Sequence, residues 1–135
     1  MFRIARRRYA SPDGEGARRY GGRCNYIGIR AVYASQNVSL AALEVLVHID
    51  RVEIPSDYVL MGLEVRDAAI PDADEAEARR VSLGKDCPVL RVASVVVPRD
   101  VNYVLYPDAP GLDVTVLFIE PFTFDPRLFA PPNVV

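Results

Sequence analysis

The sequence is short of the residues that build covalent and metal-held scaffolds. Two cysteines, Cys24 and Cys87, are too few for a disulfide framework, and no metal-ligand spacing surrounds them. A single histidine, His48, leaves a Cys/His zinc site without ligands, so no metal is expected. No apolar run reaches the roughly 18 residues that a membrane span needs. The arginine-rich start "MFRIARRRYA" has no apolar segment behind it, so it does not read as a secretory signal. Its likeness to a transit peptide is slight, because it is short and runs straight into a glycine-rich segment. Repeats, low-complexity tracts and dividing linkers are missing as well. What remains is one domain spanning residues 1–135, long enough to bury a core, with the reducing cytoplasm as its expected compartment.

Charge is present but unevenly placed. Half of the residues are hydrophobic and a quarter are charged, the balance of a globular chain. The overall charge of −2 hides an arginine-rich end: residues 1–30 hold eight arginines against only Asp13 and Glu15. A basic end on an acidic body argues against general nucleic-acid binding, which wants a broadly positive face with interleaved aromatics. It suits a local site for a small phosphorylated ligand or an acidic partner.

Periodicity divides the chain into strands and helices. "IRAVYAS", Ile29–Ser35, reads as a short strand. "QNVSLAALEVLVHID" reads as a helix that Asn37 or Ser39 can cap, with Leu40, Leu43, Leu46 and Val47 at helical spacing and apolar surface on more than one side. "DYVLMGLEVR" alternates as a strand, with Val59, Met61, Leu63 and Val65 on one face. "IPDADEAEARRVSLG" predicts a solvent-facing helix with its acids first, its arginines later and Gly84 as the stop. "VLRVASVVVP", "NYVLYP" and "LDVTVLFIEPFTFD" predict three further strands, and the tail "APPNVV" reads as loose. The expected fold is a compact α+β domain with a mixed, mostly antiparallel sheet and two or three helices.

Two stretches carry the chemistry. "GARRYGGRCNYIG", Gly16–Gly28, sets four glycines among three arginines. Backbone without Cβ atoms at Gly21 and Gly22 can lie against a ligand, and the Arg23 guanidinium matches phosphate oxygens bidentately; the plainer alternative is a tight turn with a structural ion pair. Glu44 stands among apolar residues on its helix, where a carboxylate is costly unless it is paired or used. Tyr33 is either a core tyrosine or a platform for a flat ring. Ser94 interrupts an apolar strand, which points to a polar partner for its hydroxyl. His48 shares the side of the helix that bears Glu44, and a Cys24–His48 nucleophile pair has nothing local to activate it.

Taken in order, "GEGARRYGGRCN", "AVYAS", "SLAALEVLVH", "LRVASVVVPRDVNYVLYP" and "PFTFDPRLF" resemble the RES-domain family, the toxins of RES–Xre toxin–antitoxin pairs. The resemblance implies an ADP-ribosyltransferase-like fold and a toxin that consumes NAD+ as substrate, without a recycled cofactor. The bond between nicotinamide and ribose would be cut by hydrolysis or phosphorolysis; protein ADP-ribosylation and nucleotide or partner binding without turnover are the alternatives. It also implies an Xre-like antitoxin as partner and self-association into dimers. Carried over residue by residue, the family's arginine falls on Arg23, its tyrosine on Tyr33, its glutamate on Glu44 and its serine on Ser94. Arg3, Asn25 and Asn102 match further polar positions expected to bind substrate. The chain departs from the pattern at Cys24 (usually Trp), Ala93 (Pro), Tyr106 (Asn) and Ala109 (His). On the resemblance, the last two fall at the pocket rim, where they bear on activity and on the choice of acceptor.

Overall fold

The computed structural model describes residues 1–50 and 52–129. The expected loose tail, residues 130–135, lies outside the described residues. Six strands form one sheet: β1 Phe2–Arg6, β2 Val32–Ser35, β3 Tyr58–Arg66, β4 Val89–Ala93, β5 Val101–Leu105 and β6 Asp113–Pro121. Their order across the sheet is β4-β5-β2-β1-β3-β6, and every ladder is antiparallel. Three α-helices accompany it among the described residues: α1 Glu15–Tyr20, α2 Val38–Leu46 and α3 Glu75–Gly84. The α+β, mostly antiparallel expectation stands; among the described residues the one parallel pairing is an isolated bridge between Asp72 and Arg91 of β4.

β3 shows how pattern becomes packing. Val59, Met61 and Leu63 enter a core with Val32, Ala34, Val89 and Leu105, while Tyr58 and Leu60 point to the opposite face. There they meet Ile4, Ala41 and Phe124, so α2 covers one side of the sheet beside the end of the chain's "PFTF" segment. Phe124 is held edge-on by Tyr58 at 5.5 Å and Phe122 at 5.0 Å, the geometry that aromatic quadrupoles favour. A third cluster packs α3 through Ala78 against Cys24, Leu90, Val104 and Tyr106.

Several boundaries differ from the periodic reading. β1 lies between β2 and β3 although its arginines concealed it. Arg6 reaches Asp57 at the exposed end of the strand, and Arg3 turns inward. The glycine-flanked α1 forms because Glu15 pairs with Arg18 three residues on and lies 3.5 Å from Arg19 four residues on. α2 starts at Asn37, whose Oδ1 accepts the Leu40 N–H at 2.7 Å, and it ends at Leu46. Only one side of α2 packs on the sheet, so Leu43 and Val47 are exposed, against the expectation of burial on several faces. α3 is capped by Asp74, which accepts the Glu77 N–H at 2.8 Å, and Lys85 rather than Gly84 takes the left-handed stop. The valines after Ser94 leave the sheet: the Ser94 hydroxyl accepts the N–H groups of Val96 at 3.1 Å and Val97 at 3.0 Å and turns the chain there.

Candidate active site

α2, β2, β4 and β5 and the glycine loop surround a cavity of about 1050 Å³. That lies at the upper end of the range for small-molecule sites, large enough for a dinucleotide. Arg3, Arg23, Tyr33, Glu44, Ser94 and Asn102 all line it. Ala41, Glu44 and Val45 of α2, with His48 just beyond its end, form one wall.

Glu44 is held by a defined set of donors. Its Oε1 accepts the Ser94 hydroxyl at 2.6 Å and the Asn102 amide Nδ2 at 2.8 Å. Oε2 accepts no hydrogen bond among the described residues and is not sealed from solvent. One oxygen is therefore anchored and the other is free to face a ligand. Ser94, 2% exposed, donates its one proton to Glu44 while its lone pairs take the Val96 and Val97 amides. Its hydroxyl is thereby saturated, and its observed work is to orient Glu44.

The glycine loop answers to different constraints. Arg18 is bound by Glu15, and Arg19 and Arg30 lie within 4 Å of the same carboxylate. Arg23 has no ion-pair partner among the described residues and stands exposed at the cavity. The Tyr33 hydroxyl accepts the Cys24 N–H at 3.0 Å and donates to Asn25 Oδ1 at 2.5 Å. This hydroxyl explains Gly22: a Cβ there would lie 2.5 Å from it and 2.7 Å from Asn25 Oδ1. Gly21 takes φ +72°, a conformation that favours glycine. Arg79 of α3 braces the loop from outside, with Nη1 3.3 Å from the Gly22 carbonyl and its guanidinium 4.4 Å over the Tyr26 ring.

Asn25 does not line the cavity. It is 1% exposed, and its amide donates to the carbonyls of Ala17 at 2.9 Å, Ile29 at 3.0 Å and Tyr26 at 3.2 Å. The expected substrate contact thus gives way to a scaffold role, in which Asn25 locks the loop and the Tyr33 hydroxyl. Arg3 is brought to the site from β1: Nη1 donates to the Tyr33 carbonyl at 3.0 Å, and its buried Nε has no partner among the described residues. Burial lowers the pKa of this guanidinium, with the Asp13 charge opposing.

Protonation states narrow the chemistry further. Burial, reinforced by the Glu75 carboxylate, pushes the Cys24 thiol up to about 11 despite Arg23 and Arg79. Burial likewise raises the Tyr33 phenol, against the Cys24 N–H that favours its anion. Neither is an activated nucleophile or base near neutrality. Asp72, Asp74, Glu75 and Glu77 also line the cavity, with Asp72 bound to Arg91 through an Nε–Oδ1 contact of 2.6 Å. No group of three or more His, Cys, Asp or Glu side chains among the described residues could hold a metal ion. No helix among them is long and apolar enough to cross a membrane.

Two of the four departures from the family pattern need a correction. Tyr106 and Ala109 are buried and do not line the cavity. They share a core cluster with Cys24, and the Tyr106 hydroxyl lies 2.8 Å from the Cys24 carbonyl and 3.0 Å from that of Ala78. Both positions lie in the wall behind the glycine loop and not at the rim.

An antiparallel α+β domain whose cavity joins an anchored carboxylate to an arginine unpaired among the described residues matches known proteins over most of its length. Residues 1–125 match the family model described as "RES domain", and the chain belongs to this family of toxins. It is 34% identical to "Toxin Res" of Yersinia enterocolitica, over 95% of this chain and 98% of that protein. It is 30% identical to the "Prs ADP-ribosylating toxin" of a Sphingobium species, over 95% of each. Among solved structures, the M. tuberculosis MbcT–MbcA toxin–antitoxin complex shares the fold, with a TM-score of 0.67 at 20% identity over 95% of this chain and 85% of the matched chain.

Proposed function

We propose that the protein is the toxin of a toxin–antitoxin pair and acts by cleaving the nicotinamide–ribose bond of NAD+. The observation that carries this reading is Glu44: one carboxylate oxygen is anchored by Ser94 and Asn102, the other is free, and the cavity it lines also holds the unpaired Arg23. Bond cleavage leaves the electron pair on the nicotinamide nitrogen, so nicotinamide departs as a neutral molecule. Positive charge passes to the ribose C1′, and a fixed anion beside it lowers the barrier. Water or phosphate then adds at C1′, and the water reaction releases one proton. Arg23 holds the pyrophosphate with paired donors, and the cavity-facing ring of Tyr33 flanks the nicotinamide.

A second acceptor has support of its own. A relative 30% identical over 95% of the chain is named an ADP-ribosylating toxin, and Asp74, Glu75 and Glu77 in the cavity lining suit a basic protein acceptor. Such a toxin endangers its own cell, so the proposal includes an antitoxin that blocks the cavity. The test is to incubate the pure protein with NAD+, with and without inorganic phosphate, and identify products by mass. Nicotinamide together with ADP-ribose or its phosphorylated form supports the proposal. Unchanged NAD+ in both conditions, with no ADP-ribosylated protein in lysate, refutes it.

A further inference from the structure

The anchoring of Glu44 extends one residue beyond the groups already described. We propose that Ser35 is a positioning residue for the Glu44 carboxylate, acting through Asn102. Ser35 closes β2, is 3% exposed and stands directly opposite Asn102 of β5 in the ladder. Its hydroxyl donates to Asn102 Oδ1 at 2.7 Å, and Asn102 Nδ2 donates to Glu44 Oε1 at 2.8 Å.

The direction of every bond follows from the chemistry of the groups. An ionised carboxylate only accepts, so the amide must present Nδ2 to Glu44. Oδ1 then faces Ser35, whose hydroxyl must donate. That bond is the only one Oδ1 receives among the described residues. The neighbouring backbone fixes the pair: Gln36 N–H reaches the Val101 carbonyl at 3.2 Å, and Val101 N–H reaches Gln36 Oε1 at 2.8 Å. The sheet thus holds Asn102 in place, and Ser35 selects the rotation that offers its donor end to Glu44. Without the hydroxyl, Oδ1 of this half-buried side chain loses its one partner among the described residues, and the amide turns toward the cavity to recover one. Glu44 then keeps Ser94 alone, and its free oxygen loses its fixed aim.

The catalytic part of this inference rests on the NAD+-cleavage reading; the positioning itself does not. The experiment compares the parent, Ser35→Ala, Asn102→Ala and the double variant for nicotinamide release. In parallel it records the Asn102 side-chain amide resonances of 15N-labelled parent and Ser35→Ala. The expected result is a fall in kcat of about tenfold for Ser35→Ala with KM unchanged. No further loss is expected when Ser35→Ala is added to Asn102→Ala, because the two act in series. The Asn102 amide pair is expected to shift in Ser35→Ala whether or not any variant turns over NAD+. Retained kcat, equal losses in both backgrounds, or an unmoved Asn102 amide pair each overturn the proposal. A parent that leaves NAD+ intact overturns the function proposed above, and the amide resonances then decide the role of Ser35.

Discussion

Gly22→Ala is the substitution whose consequence can be worked furthest from the geometry. The added methyl would sit 2.5 Å from the Tyr33 hydroxyl, 2.7 Å from Asn25 Oδ1 and 3.1 Å from Tyr33 Cζ. All three atoms belong to the buried network that links Cys24 N–H, Tyr33 and Asn25, so none is the free end of a flexible chain. Either the loop shifts, which costs about 1–3 kcal/mol as overpacking, or Tyr33 moves and leaves buried polar groups unpaired at about 1–3 kcal/mol. A loss of about 1–3 kcal/mol is expected, a fall in Tm on the order of 3–11 °C for a domain of this size. Thermal unfolding followed by circular dichroism reads it. Tyr33→Phe should cost stability in the parent but much less in Gly22→Ala, because it removes the atom that the methyl meets first. A Gly22→Ala protein as stable as the parent would refute the reasoning, as would strict additivity of the two changes.

Other expectations follow from the same contacts. Arg23→Ala removes an exposed, unpaired side chain, so stability should stay within about 0.5 kcal/mol while KM for NAD+ rises; a lower Tm with unchanged KM would contradict this. Ser94→Ala strips Glu44 of one donor and the Val96 and Val97 amides of their acceptor, so about 1–3 kcal/mol of stability and most turnover should go together, as denaturant unfolding and nicotinamide release can show. For Cys24 the sign follows from its raised folded-state pKa. Stability is fully present below the ordinary thiol value of 9 and falls as pH rises toward 11, since only the unfolded thiol ionises readily in that interval. Cys24→Ala should flatten the stability profile between those pH values, and an unchanged slope would count against the burial of the thiol.

The elements legible in the sequence are those whose pattern agrees with their packing. β3 alternates because its two faces meet two different cores, and α2 announces itself through its cap and its apolar spacing. β1 was hidden because a central strand beginning "FRIAR" carries arginines, and only the structure shows Arg6 leaving by the strand end and Arg3 serving the cavity. The valines after Ser94 read as strand by propensity, but a side-chain hydroxyl that captures two backbone amides outweighs propensity locally. Glu44, Arg23, Tyr33 and Ser94 were legible as types out of place: a carboxylate and a serine among apolar residues, a guanidinium beside paired glycines, a tyrosine in a small-residue strand. Their division of labour was not. Asn25 holds the loop and Ser94 holds Glu44 through contacts between separate segments, and the role proposed for Ser35 rests on its cross-strand register with Asn102. A serine at a strand end gives no signal of its own.

The central claim is tested most directly by measuring NAD+ binding and nicotinamide release side by side for the parent and Glu44→Gln. The substitution keeps the side-chain shape but removes the charge, so bound NAD+ should be held about as well while release drops by about 100-fold or more. Release at the parent's rate from Glu44→Gln would contradict the role given to this carboxylate and, with it, the account of how the cavity works.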